Sequence, residues 1–128
     1  MLSLKLVLAN PIKDFFIQAK EALSGRNVSL FNSTEPLSNL GELFTKVEPS
    51  VLIVGPDWDI NKVLLFAPHF SAYFPYVAII LVVRSLNKEL LQCSIEAGIK
   101  DVIELPLRRE SFFSSIEAAA RFCSAVQS

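Results

Sequence analysis

The chain has 128 residues, 52% of them hydrophobic, with a mean hydropathy of +0.43 and a formal net charge of -1. That length suits a single domain with its own core, and the interspersed acids and bases exclude a basic nucleic-acid groove or an electrostatic membrane anchor, which need clustered Lys and Arg. An apolar fraction this high implies a sheet covered on both faces or apolar surface that awaits a partner.

The first segment, LKLVLA from Leu4 to Ala9, reads as a strand. It does not read as part of a signal peptide, because the apolar run is short, its one base lies inside the run, and no small-residue cleavage site follows. NPIKDFFIQAKEALSG then supplies Asn before Pro, apolar residues at helical spacing and a closing Gly25. NVSLFNS is a short strand, and TEPLSNLGELFTKVEP sets Leu37, Leu40, Leu43 and Phe44 on one helical face before Pro49. SVLIVG is a continuous apolar run of the kind found in strands buried on both sides. DINKVLLFAPHFSAYFP predicts a helix that Pro68 bends or ends early, with Phe66, Phe70, Tyr73, Phe74 and Tyr76 covering the sheet, the alternative being a third-helix patch against a neighbour. VAIILVVR is the most strand-like segment, LNKELLQCSIEAG is an amphipathic helix closed by Gly98, and DVIELP with RRESFFSSIEAAARFCSAV gives the last strand and helix.

Five strands alternating with five helices predict an α/β fold: a five-stranded parallel sheet, doubly wound as (βα)5, in a flavodoxin-like three-layer sandwich. A ligand site in such a sheet lies at the carboxyl ends of the strands. The candidate positions are Ala9 and Asn10, Asn32 and Ser33, Gly55 to Asp59, Val83 to Ser85, and Glu104 to Leu107. Cys93 and Cys123 lie far apart with no CxxC pair and read as buried thiols. The longest apolar run, Tyr76 to Val83, is less than half of the ~20 residues that cross a bilayer, so the expected location is the cytoplasm, with no membrane partner.

The segment EAGIKDVIELPL resembles the response-regulator receiver family, in which a helix-closing Ala-Gly precedes a short strand, an apolar residue, a proline bond and the last helix. The resemblance extends in element order over the whole chain, and it implies a receiver-like three-layer sandwich with a cis Leu105-Pro106 bond. It also implies where chemistry should sit. Receivers hold Mg²⁺ with an acidic pair after the first strand, accept a phosphoryl group on an aspartate ending the third, sense it with a hydroxyl after the fourth and pair it with a lysine before the proline. Here Ala9 and Asn10 stand at the acidic pair, Gly55 at the acceptor, Val83 at the hydroxyl and Leu105 at the lysine, and Val102 replaces the switching aromatic. Such a set marks a degenerate phosphoacceptor pocket, hence a pseudo-receiver with no metal and no cofactor. Asp57 and Asp59 are the alternative acceptors. Pro56 blocks ladder pairing just before Asp57, and Asp59 fits a helix N-cap.

The remaining signals are weaker. His69 is the single histidine, which excludes a triad or multi-histidine metal site, and none of the four glycines forms a GxGxxG or P-loop pattern. Arg84 can reach Asp57, Asp59 or Glu104. On the last helix Phe112, Ile116, Ala119, Ala120 and Cys123 make one face, widened by Phe113 and Phe122. Core is the simpler reading of that width. The receiver resemblance instead implies a docking surface there, with Arg109, Phe112, Phe113, Ile116 and Phe122 as interface candidates. The expected function is therefore a non-enzymatic regulatory and protein-interaction module of bacterial signal transduction, acting as a homodimer or as the amino-terminal domain of a longer regulator with a downstream effector. The runner-up is a small-molecule or nucleotide sensor that uses Asn10, Asp57, Arg84 and Ser85 in the strand-end crevice.

Overall fold

The computed structural model describes residues 4–127, with side chains as far as residue 121. Strands β1 (Leu4–Ala9), β2 (Val28–Ser33), β3 (Val51–Val54), β4 (Ala78–Val83) and β5 (Asp101–Glu104) form one parallel sheet in the order β2-β1-β3-β4-β5. The chain steps outward from β1 to β2, then returns past β1 to β3, and this reversal sends helices to both faces. Helices α1 (Asp14–Ala22) and α5 (Arg109–Gln127) lie on one side, and α2 (Leu40–Val47), α3 (Ile60–Tyr73) and α4 (Lys88–Glu96) on the other. The predicted fold class is the one observed.

Alternation along the strands builds two cores, because successive side chains point to opposite faces. Leu6, Leu8, Ile53, Ile80 and Val82 pack against Phe15, Phe112 and Ile116, while Val7, Ala9, Val54, Leu81 and Val83 pack against Leu40, Phe44, Val63 and Phe70. Every residue of β3 and β4 is buried, which accounts for their unbroken apolar runs. The Leu105-Pro106 bond is cis, as the resemblance implies.

Three expectations need correction. Helix α3 does not end at Pro68 but continues to Tyr73. Its far half is held by an aromatic cluster that offsets the lost backbone donor: the Phe44 and Phe70 rings meet edge to face 4.8 Å apart, and those of Phe70 and Phe74 lie tilted at 4.9 Å. Not all of the aromatic run covers the sheet, since Tyr73 and Tyr76 point into solvent beside buried Phe70. Cys93 is exposed rather than buried, because it lies on the solvent side of α4; the Cys123 side chain falls outside the described residues.

Candidate functional site

The register brings the predicted pocket positions together. Ala9 pairs with Val54, Val54 with Leu81, and Val83 with Glu104, so Asn10 and Gly55 leave the sheet side by side, while β4 and β5 run two residues further and set Arg84 and Leu105 at the level of Asp57. Ala9 and Val83 are buried, and Leu105 packs against the α1/α5 core. Of this set only Asn10 offers a polar side chain beneath the strand ends, and it is 1% exposed.

Asn10 fills the place where an acceptor side chain would stand. A Cβ built on Gly55 would lie 2.5 Å from Asn10 Cγ and Oδ1 and 2.6 Å from its Cβ, well inside contact distance. The amide is fixed by its partners: Nδ2 donates to Ile12 O at 2.8 Å and to Asp57 Oδ2 at 2.7 Å, while Oδ1 accepts from the Asp57 backbone N–H at 3.0 Å. A buried amide satisfied on both ends resists displacement.

Asp57 closes the pocket from above. Its carboxylate, 13% exposed, takes the Asn10 amide on Oδ2 and the Arg84 guanidinium on Oδ1 at 2.8 Å, and Arg84 also donates to Pro56 O at 3.2 Å. Of the three carboxylates considered for Arg84, the structure selects Asp57. Asp59 is spent as the N-cap of α3, where Oδ1 accepts from Asn61 N at 3.0 Å. Glu104 accepts from Leu86 N at 2.7 Å. Trp58, the single tryptophan, donates from Nε1 to Ala9 O at 2.9 Å and ties the β3–α3 turn to the end of β1.

These residues do not fit a magnesium ion. The cation needs several free oxygens, yet here the one inner carboxylate is already paired with a guanidinium, and Asn10 Oδ1 faces a backbone N–H. Asn10, Asp57 and Arg84, the polar atoms suggested for a ligand crevice, are likewise bonded to one another. A wider groove of about 1050 Å³ adjoins these residues, running from Asp57, Trp58 and Asp59 between α2 and α3 to Phe66, Phe70 and Tyr73.

The interface candidates divide. Phe112 and Ile116 are 0% exposed and belong to the core, because the helical stripe they define faces β3 and β4; they cannot serve a partner. Phe113 is half-buried with the Arg26 guanidinium 4.6 Å over its ring. Arg109 donates to the carbonyls of Glu21 and Ser24 at 3.3 and 2.6 Å and so caps the end of α1. The Phe122 side chain lies outside the described residues. Sequence reasoning missed Trp58 and the plugging role of Asn10, although an amide directly after an apolar strand, beside a strand-ending glycine, was the available signal.

No protein-family model matches the chain, and no curated protein matches it in sequence. Solved structures do. The chain is similar to a response regulator from Thermotoga maritima, with a TM-score of 0.82, 15% identity, and 94% of this chain and 99% of that one covered. It is also similar to a pilus assembly-related protein from Burkholderia pseudomallei, with a TM-score of 0.81, 14% identity, and 92% and 90% covered. NtrX from Brucella abortus superposes with a TM-score of 0.82 and 13% identity over 98% of this chain but 28% of its own, so the same fold there sits within a longer protein. At these identities the likeness shows the fold, the receiver fold.

Proposed function

We propose that this domain is a receiver that has exchanged phosphoryl chemistry for a fixed, internally bonded pocket, and that it works in signal transduction by binding protein partners. The observation that supports this most directly is Asn10, whose buried amide occupies the space of any side chain at position 55 and is held there by Asp57. Phosphoryl transfer needs an accessible nucleophile in line with a bound cation. The Asp57 carboxylate has both oxygens engaged, and Asp59 caps a helix. With Phe112 and Ile116 in the core, the exposed apolar side chains left for a partner include Leu65 and Tyr73 on α3, 72% and 83% exposed beside the α2–α3 groove. Homodimerisation, or service as the amino-terminal part of a longer regulator, fits the same reading.

The test is an amide NMR spectrum recorded before and after adding beryllofluoride with Mg²⁺, together with intact mass after incubation with acetyl phosphate. Unchanged signals at Gly55, Asp57 and Arg84 and an unchanged mass are expected. A phosphoryl adduct, or shifts centred on those residues, would reinstate phosphoacceptor chemistry.

A further inference from the structure

We infer that the Asp57–Arg84 ion pair is a latch that holds the amino-terminal end of α4, so that competition for the Arg84 guanidinium releases this helix while the rest of the fold stays intact. The inference deepens the reading of a pocket closed to phosphoryl transfer and rests on it.

The first observation is how thinly α4 is anchored. Among its nine residues only Ser94 is buried, with Leu90 partly so and Ala97 just beyond the helix likewise, while α3 buries Val63, Ala67 and Phe70. Ser94 adds no polar anchor through its side chain, because its Oγ is buried without a hydrogen-bond partner. Few apolar contacts mean a low free energy of local opening.

The second observation is where α4 is tied. Its carboxyl end is fixed in the core, since Ile99 is buried and its N–H donates to Ser94 O at 3.0 Å beyond Gly98. The amino end rests on the partly buried side chains of Leu86 and Leu90 and on polar tethers in the β4–α4 loop. Arg84 reaches across to Asp57 and Pro56 O, and Leu86 N donates to Glu104 Oε2. Asn87 caps the helix from within, Oδ1 accepting from Leu90 N at 2.8 Å, and adds no link to the sheet. The helix is thus pinned at one end and latched at the other.

The third observation is the asymmetry of the ion pair. An exposed pair contributes little when two mobile side chains must both be ordered. Here one end is already ordered, because Asn10 holds Asp57 at two points, while Arg84 is 63% exposed and open to competitors. A carboxylate on a protein partner has the chemistry to take that guanidinium, and release would loosen the turn of α4 that precedes exposed Leu91 and Ile95.

Amide hydrogen exchange on the whole chain tests this. Arg84→Gln should speed exchange in residues 88–96 about tenfold, as expected for losing one charge-assisted hydrogen bond, with α3 and α5 unchanged. On the unaltered protein, raising KCl from about 20 to 500 mM should speed the same amides, and it should have no such effect in Arg84→Gln. Exchange in α4 that ignores salt in the unaltered protein would overturn the latch, even if Arg84→Gln did not fold. A uniform rise across all helices in the variant would overturn it too, by showing global destabilisation. Acetyl phosphate labelling would instead sink the closed-pocket reading, so the two failures are distinct.

Discussion

Replacing Gly55 with alanine asks the pocket to hold one more carbon where Asn10 already stands. The new Cβ would meet Asn10 Cγ and Oδ1 at 2.5 Å and its Cβ at 2.6 Å, so the asparagine must move. Moving it breaks the three hydrogen bonds of its amide, to Ile12 O, Asp57 Oδ2 and Asp57 N, at about 1 kcal/mol each, or roughly 3 kcal/mol in all. Asn10→Gly loses the same bonds and adds glycine's backbone entropy, so it should cost about 3 to 4 kcal/mol. In the double variant the alanine meets empty space, and its own cost should fall to within ~0.5 kcal/mol of zero. A urea-denaturation cycle on the four proteins therefore should return a coupling of roughly 3 kcal/mol. Additive single effects would refute the claim that Asn10 fills the acceptor's place.

Phe112→Ala should cost about 3 to 5 kcal/mol in the same assay and Phe113→Ala no more than about half of that, since only the first ring is fully enclosed; equal losses would mean the helix faces are misassigned. Asp59→Ala should remove about 1 kcal/mol by uncapping α3, measured as a lower denaturation midpoint at unchanged slope. Tyr73→Ser should change stability of the monomeric domain by less than about 0.5 kcal/mol. A larger loss at dilution would show that this ring is covered.

What the residues disclose in advance depends on how local the cause is. The strands of β3 and β4 were legible because an unbroken apolar run has one economical use in an α/β sheet, and the N-cap role of Asp59 because a cap needs only its own next two residues. The departures at Ala9, Gly55, Val83 and Leu105 were legible through the receiver resemblance, which names the chemistry that they lack. Pro68 misled as a helix end, because the force that carries α3 past it is the ring contact with Phe44, a residue of another helix. Helical spacing put Phe112 with Ile116, Ala119 and Ala120 on one face and left Phe113 at its margin, and those four are the residues buried; it was the receiver resemblance that offered Phe112 and Ile116 to a partner. Asn10 was visible as a missing acid but not as a plug, because its partners Gly55 and Asp57 arrive from a distant strand.

The strand order sets conditions on how the polypeptide is made. Of these five strands β1 leaves the ribosome first, yet it ends in the interior of the sheet, with β2 on one edge and β3 on the other. Until residues 51–54 emerge, the β3-facing edge of β1 has no native partner, and Leu6, Val7 and Leu8 have only the cover that α1 and α2 supply. An incomplete chain stopping short of β3 would therefore carry a bare strand edge flanked by leucines, the kind of surface that seeds edge-to-edge association. Dissecting this domain into an amino-terminal fragment should yield inclusion bodies rather than a smaller folded unit.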